Sequence, residues 1–143
     1  MDSASEFNFH SENISFTLKK KPAIISWLSC SIKKENKIPG VISYIFCSDQ
    51  YLHELNVKYL NHDTLTDIIT FDYCEKKSVN GDLFISIDRI KENSKKFNNS
   101  IENELHRVMI HGILHLCGYK DKTTEDQNVM SAKEDFYLNL RDF

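Results

Sequence analysis

The stretch "HGILHLCGYKD", residues 111–121, holds two histidines, a glycine and an aspartate at spacings that an ordinary packed helix end does not require. His111 and His115 are four residues apart, so at about 100° per residue both imidazoles lie on one side of a helix and can reach one ion. A catalytic zinc takes three protein ligands and leaves a further position open. A helix that ends at Gly118 lets the chain turn back, and Asp121 then supplies the third ligand. The stretch therefore predicts a metal site where a helix ends.

Each of these residues also has an ordinary structural interpretation. A single histidine on an apolar helix is more often a hydrogen-bonded core residue than a ligand, and an isolated aspartate is often a turn residue. Two histidines within "VMIHGILHLC" would, however, leave polar rings on an apolar face unless a partner pairs them. We therefore favour metal binding, with Glu125 and Asp126 as the alternatives to Asp121 for the third ligand.

The spacing H-x3-H-x2-G-x2-D matches the zinc frame of the metzincin peptidases, H-E-x-x-H-x-x-G-x-x-H, with two changes of residue type. Gly112 replaces the glutamate that acts as general base in those peptidases. Asp121 replaces the third histidine, and its negative charge would keep a bound water protonated to a higher pH. The pattern thus keeps the metal frame and loses the proteolytic base.

The size, charge and cysteine content of the whole chain limit the kind of protein to which this stretch belongs. With 143 residues, 41% of them hydrophobic, it has enough apolar side chains for one core, and we expect a single domain over residues 1–143. No basic segment followed by an apolar run opens the sequence, and no apolar stretch is long enough to cross a membrane. The net charge of −3 argues against a generic nucleic-acid binder. Four cysteines without a CxxC pair are typical of reduced thiols and favour a cytoplasmic protein.

The flanking segments predict an α+β fold. "ISFTL" and "VISYIFCS" have the pattern of strands. "DIITFDYC" and "DLFISID" have that of an antiparallel pair joined by "EKKSVNG", residues 75–81, in which Asn80 and Gly81 supply the turn chemistry. Helices are expected from Pro22, after Ser48 or Asp49, near "DRIKENSKKF", after Ser100, and after Thr123 or Thr124. The order βαβαββααα predicts a small four-stranded mixed sheet covered by helices, one of them a zinc helix like that of the metzincins.

Three segments of the chain together carry a family resemblance. "HGILHLCGYKD" resembles the signature of the YbeY family, whose usual form is H-G-x-L-H-L-x-G-Y-D-H. "LNVKYLNHDTLTDIITFDY", residues 55–73, is similar to the family's L-N-x-x-Y-R-x-x-D-x-P-T-D-V-L-S-F-x segment, and "GDLFIS", residues 81–86, to its G-D-I-x-I-S. The three lie in the family's order, so their joint specificity is high.

The resemblance implies a single-metal hydrolase on a four-stranded sheet with a helical layer. Such proteins are described as endoribonucleases that mature the 3′ end of small-subunit ribosomal RNA and act in ribosome quality control. It further implies one zinc ion held by His111 and His115, with Asp121 at the position of the third histidine; two imidazoles and a carboxylate also suit nickel, cobalt or iron. The partners it implies are rRNA in the small ribosomal subunit, a ribosomal protein and an Era-like GTPase, with no membrane.

Several cleft positions follow from the same resemblance. Asp67 and Asp82 match acidic positions of the family, with a structural role as the alternative. Lys120 replaces an aspartate and either brings positive charge to a scissile phosphate or points into water. Leu60 replaces an arginine, so a contact from that guanidinium to a phosphate is missing, which argues against strong intrinsic nuclease activity. Leu65 replaces a proline.

The sequence as a whole favours a metal-dependent endoribonuclease specific for single strands. It does not assign the general base, because the metal, Asp67 and the 2′-hydroxyl of RNA all remain candidates. A zinc metallopeptidase on the same frame is one alternative function. A non-catalytic ribosome-assembly factor with a structural metal is the other.

Overall fold

A computed structural model describes residues 5–62 and 64–143, which form a four-stranded sheet and five helices. The order of the elements is the predicted βαβαββααα, and the mixed sheet confirms the α+β class. In chain order the elements are β1 (Glu6–Glu12), α1 (Lys21–Lys34), β2 (Ile38–Cys47), α2 (Asp49–Leu60), β3 (Ile68–Asp72), β4 (Ser78–Ser86), α3 (Ile87–Lys96), α4 (Ile101–Leu116) and α5 (Thr124–Leu138). No helix in this described part is long and apolar enough to cross a membrane.

The strands lie in the order β1-β2-β4-β3. β1, β2 and β4 are parallel, which requires crossover connections, and α1 and α2 lie within them. β3 runs antiparallel to β4, as predicted, with Ile69 opposite Phe84. β3 is therefore an edge strand, and its position beside α4 creates the cleft described below.

The pleat of β4 divides the core between two faces of the sheet. Leu83 and Ile85 belong to the main apolar cluster, which includes residues of α1 and α4. Phe84 packs with a second cluster around Leu52 of α2. Because alternate residues of a strand point to opposite faces, Asp82 shares the α2 face with Phe84.

Gly112 lies where α4 packs closely against the sheet. A Cβ atom at this position would overlap Cδ2 of Leu83 and lie 2.8 Å from Cδ1 of Ile68, both on the sheet. Only a glycine allows the helix to sit this close to β3 and β4. The neighbouring His111 is thereby fixed at the edge of the sheet.

The predicted strand "ISFTL", residues 14–18, is wrong, because the first strand is Glu6–Glu12. The alternation that suggested a strand is real in terms of burial: Leu18 is buried and Phe16 half-buried, while Ser15 and Thr17 are exposed. Residues 6–12 already occupy the edge of β2, so this segment packs against the core without joining the sheet. Alternating apolar and polar residues indicate that one side of an extended segment is buried. They do not identify the strand with which the segment forms hydrogen bonds.

The two strands are joined within the predicted segment, residues 75–81, but the turn role of Asn80 and Gly81 is wrong, since both residues lie inside β4. The chain reverses four residues before Asn80, at Lys76, which adopts a left-handed φ of 54°. The side chain of Asn80 accepts a 2.7 Å hydrogen bond from the Val41 backbone N–H, beside the register shift in β2. This asparagine therefore provides a partner for a backbone N–H at an irregular point of β2 and does not form a turn.

The predicted helix starts are confirmed at the capping residues. The hydroxyl oxygen of Ser48 accepts from the Tyr51 N–H at 3.2 Å, and that of Ser100 accepts from the Asn103 N–H at 3.0 Å. Thr123 begins α5. Each cap satisfies a backbone N–H that has no partner within its own helix.

Candidate metal centre

The end of α4 brings His111, His115 and Asp121 together. The Nε2 atoms of the two histidines lie 3.0 Å apart. Oδ2 of Asp121 lies 3.3 Å from Nε2 of His115 and 3.4 Å from Nε2 of His111. Gly118, with a left-handed φ of 109°, turns the chain after the helix and allows this return. Three donor atoms from one short segment thus form a nearly equilateral triangle.

The chemistry of this donor set fits one divalent cation. Ligands about 2.0 to 2.1 Å from a tetrahedral zinc are separated by about 3.3 to 3.4 Å, close to the three distances in this triangle. Two imidazole nitrogens and a carboxylate oxygen also repel one another at this range unless a positive charge lies between them. Among the described residues, these three are the group of histidine, cysteine and acidic side chains whose donor atoms are close enough for one ion.

Glu134 on α5 fixes the orientation of His111. The Nδ1–H of His111 donates to Oε2 of Glu134 at 2.6 Å, which leaves Nε2 as the unprotonated donor atom facing the site. The other oxygen of Glu134 accepts from Arg107 at 2.8 Å, and the same guanidinium donates to Asp135 at 2.6 Å. The sequence interpretation missed Glu134. Its signal is an acid on the buried side of α5, four residues after Met130 and three before Tyr137.

His115 is held by the loop that follows the helix. Its Nδ1–H donates to the Tyr119 carbonyl at 2.9 Å, so its Nε2 also faces the site. The Tyr119 hydroxyl donates to Glu35, just beyond the end of α1, at 2.6 Å. Glu35 also accepts from Lys133 at 3.1 Å and from the Tyr137 hydroxyl. These contacts fasten the loop that carries Asp121 to α1 and α5.

The electrostatic environment of the site is negative. Burial lowers the pKa of His111, but Glu134, Asp67 and Asp121 outweigh it and the net pKa is raised. Burial raises the pKa of Asp67, which the His111 charge offsets only in part. Acidic groups that favour a proton on an imidazole favour a metal cation in the same place.

The triangle opens into a cleft of about 530 Å³, large enough for a nucleotide. One side consists of β3 and the segment before it, and the other of the end of α4 and the following loop. Leu60, at the end of α2, also lines the cleft and is exposed. The cleft is lined by Leu60, Thr66, Asp67, Ile68, Ile69, Thr70, Asp72, His111, His115, Leu116, Asp121 and Lys122.

The structure brings Asp67 into this cleft but neither Asp82 nor Lys120. Asp82 lies on the α2 face of the sheet, because its neighbour Leu83 points towards α4. Lys120 is exposed between two less exposed residues, Tyr119 and Asp121, which point inwards. The cation at the cleft is Lys122 instead. For Lys120 the structure thus favours the alternative that the side chain points into water.

The two reserve candidates for a third ligand lie at the start of α5. Asp126 takes part in a capping box: its backbone N–H donates to the Thr123 hydroxyl oxygen at 3.0 Å, and its carboxylate accepts from the Thr123 N–H at 3.4 Å. Glu125 is exposed in the first turn of the helix. Asp121 is therefore the acid that lies within reach of both histidines.

His106 is a second buried histidine on α4, away from the metal centre. It packs between the rings of Trp27 and Phe143, and its Nδ1 accepts from Arg141 at 2.8 Å. Burial lowers its pKa to about 4, helped by the Arg141 charge. This side chain is a neutral core residue at ordinary pH.

A mixed sheet with an edge strand beside a helix that presents H-x3-H, followed by a glycine turn and a third donor, places the protein in the class of metal-dependent hydrolases. Residues 6–141 match the model of the family described as Endoribonuclease YbeY. The chain belongs to this family. The resemblance inferred from the three sequence segments is confirmed.

Individual relatives agree with the family match. The chain is 54% identical over 129 residues to endoribonuclease YbeY of Flavobacterium johnsoniae, covering 90% of this chain and 91% of the relative. It is 47% identical over 133 residues to that of Bacteroides fragilis, covering 93% and 96%. The solution structure of TM1509 from Thermotoga maritima superposes with a TM-score of 0.66 at 29% identity, covering 93% of this chain and 87% of that chain.

Proposed function

We propose that this protein is a metal-dependent endoribonuclease that cuts single-stranded RNA and acts in the 3′ maturation of small-subunit rRNA and in ribosome quality control. The observation that carries the proposal is the convergence of the Nε2 atoms of His111 and His115 with Oδ2 of Asp121 in an open cleft. Membership of the endoribonuclease YbeY family supports the type of reaction.

The ion that we propose is zinc, one per chain, held by His111, His115 and Asp121. Once bound, it supplies Lewis acidity towards a phosphate oxygen or a water molecule. The protein itself orients the donors, since Glu134 and the Tyr119 carbonyl bind the outer nitrogens of the two imidazoles. Nickel, cobalt and iron suit the same donors, so metal analysis of purified protein decides the identity.

Two other cleft side chains have roles in the proposed reaction. Lys122 offers an ammonium group to the phosphates that flank the scissile bond. Asp67 is the half-buried acid opposite the ligands and accepts a proton from the attacking oxygen, whether that oxygen belongs to water or to the 2′-hydroxyl. Product ends separate these routes, because a 2′,3′-cyclic phosphate marks attack by the 2′-hydroxyl.

The packing of Gly112 counts against a peptidase. A metzincin peptidase needs a glutamate at this position, yet here even a Cβ would overlap Leu83. The side chain at position 112 would also point into the sheet rather than into the cleft. The metal frame is therefore suited to chemistry that does not depend on that base.

The partners and location are part of the proposal. We infer rRNA in the small ribosomal subunit, a ribosomal protein and an Era-like GTPase as partners, and the cytoplasm as the compartment. The support is family membership. Co-sedimentation of the tagged protein with small subunits on sucrose gradients tests the first of these.

The deciding experiment combines metal analysis with RNA cleavage. The parent should carry one ion per chain and cut a single-stranded oligoribonucleotide but not the matching duplex, and chelation should stop cleavage until metal is restored. His115→Ala should fold, as judged by circular dichroism, and be inactive, while His10→Ala, at an exposed position on β1, should behave as the parent. A folded, metal-loaded parent without nuclease activity would contradict the proposal, and unfolding of His115→Ala would indicate a structural metal instead.

A further inference from the structure

One side of the metal cleft ends in exposed apolar side chains. Tyr59, Leu60 and Leu65, which we call the apolar wall, are 56%, 44% and 57% exposed. Leu60 lines the cleft itself, and Leu65 directly precedes Thr66, another lining residue. Tyr59 lies beside the cleft rather than in its lining, and its ring packs edge-on against Phe71 of β3 with ring centres 5.9 Å apart. Exposed apolar groups gathered at a cleft, rather than scattered singly, indicate a binding surface.

Local hydrogen bonds hold this wall in place. α2 ends at Leu60, and Asn61 adopts a left-handed φ of 55°. The buried Asn56 donates from its side chain to the Thr64 carbonyl at 2.9 Å, and its own carbonyl accepts from the His62 N–H at 3.1 Å. Asn56 therefore ties both His62 and Thr64 to α2, next to the exposed Leu60 and Leu65.

The cleft combines apolar side chains with metal-binding and positively charged ones. The three metal-centre donors and Lys122 line the same cleft as Leu60. A nucleotide matches this division, because its base has an apolar face and its phosphate carries the negative charge that a cation attracts. Lys58, whose ammonium lies 5.1 Å from the centre of the Tyr59 ring, adds a second cation on the wall side for a neighbouring phosphate.

Base pairing decides whether a strand can present the apolar face of a base to the protein. In a duplex the bases are stacked inside the helix, whereas an unpaired base can leave the stack and lie against a protein side chain. A flat apolar surface also accepts any of the four bases. The leucine side chains of the wall offer no hydrogen-bonding groups, so they would distinguish single strands from duplexes without reading their sequence.

We propose that the apolar wall, with Leu60 at its centre, receives an unpaired base beside the phosphate that lies at the metal centre, and that this contact is the source of single-strand selectivity. The inference rests on the proposed nuclease function and adds to it the part of the substrate that is recognised. Leu60 thus contacts the base of the nucleotide and not its phosphate.

Binding of two strands of equal length and charge tests the inference. The probes are a fluorescent 2′-O-methyl oligoadenylate and a fluorescent abasic strand of the same length. Fluorescence anisotropy measures the binding of each probe to the protein as purified, and gels check that the probes stay intact. We expect the parent to prefer the base-bearing strand by about tenfold. Leu60→Gln and Leu65→Gln should lose most of that preference with little change in binding of the abasic strand. Leu140 lies just beyond the C-terminal end of α5 and has the same 44% exposure as Leu60. The control variant Leu140→Gln should keep the preference for the base-bearing strand.

The outcomes separate this inference from the proposed function. Equal binding of the two strands by the parent, or an unchanged preference in both wall variants, would overturn the role of the wall while cleavage of single strands continues. Displacement of the base-bearing strand by an uncharged apolar peptide of similar length, at equal concentration, would assign the wall to peptides and also overturn it. A metal-loaded parent that neither binds nor cuts RNA would overturn both proposals.

Discussion

The Nδ1–H of His111 on α4 donates a 2.6 Å hydrogen bond to Glu134 on α5, a carboxylate whose residue is only 7% exposed. Arg107 binds the other oxygen of the same carboxylate at 2.8 Å. A buried acid with two such partners has one orientation, and it imposes one tautomer on the imidazole. The affinity of the site for a metal ion therefore depends on a residue that does not touch the ion.

Glu134→Gln is expected to weaken metal binding by about 10- to 100-fold while leaving the fold intact. Glutamine keeps the shape of the side chain but loses the charge that holds both Arg107 and the His111 N–H. Competition with a zinc chelator measures the affinity directly. Glu125→Gln, in the exposed first turn of α5, is the matched control and should bind metal as the parent does. Equal affinities for the two variants would contradict the orienting role.

Asp121→His is expected to move the pH dependence of cleavage to lower pH. A carboxylate ligand reduces the effective charge of the ion, so a third neutral imidazole makes the ion a stronger acid and lowers the pH at which a water or hydroxyl group loses its proton. Initial cleavage rates of parent and variant across pH, at saturating metal, check the direction. A pH–rate profile identical to that of the parent would rule out this role for the carboxylate.

Gly112→Ala is expected to destabilise the protein by about 1 to 3 kcal/mol, because the added methyl group enters space filled by Leu83 and Ile68. In an open helix the same change would stabilise by about 1 kcal/mol, so the sign of the effect tests the close packing of α4 on the sheet. Urea denaturation measures the free energy of unfolding. Ser131→Ala, on the exposed side of α5, should change it by less than about 0.5 kcal/mol. A Gly112→Ala variant more stable than the parent would contradict the close packing of α4 against Leu83 and Ile68.

The parts of the structure that depend on neighbours in sequence were predictable from the sequence. The order of elements, the helix starts at Ser48 and Ser100, and the grouping of His111 with His115 all follow from periodicity, capping chemistry and spacing. Asp121 joins them because a glycine at the helix end permits a tight return. Each of these features involves residues close together in the chain.

The parts that depend on distant residues were not predictable in this way. The edge of β2 is taken by residues 6–12 rather than by residues 14–18, whose alternation has the pattern of a strand. Asn80 supports a strand irregularity at Val41, which no local turn rule contains. Glu35 and Glu134 reach the metal-site loop and helix from other parts of the chain, through contacts that spacing does not encode.

His106 is expected to make the protein less stable as the pH falls from about 6.5 to about 4. Its pKa is about 4 in the folded state, against an ordinary value of 6.5, so below 6.5 the unfolded chain gains a proton that the folded chain does not. The stabilisation is complete above the unfolded pKa, and about 3 kcal/mol of it is lost over that window. Urea denaturation at pH 7 and pH 4.5 measures the loss, which His106→Asn should reduce. A parent and variant with equal pH slopes would contradict the assignment.

The position of β3 at the edge of the sheet decides how a polymer reaches the metal centre. The cleft extends from Thr66, just before this strand, to Asp72 at its end, and in the described part of the chain no further strand closes its outer side. A long molecule can enter sideways, with neither terminus threaded through a tunnel. The architecture thereby allows a break at an interior linkage, leaving two fragments instead of trimming one nucleotide at a time.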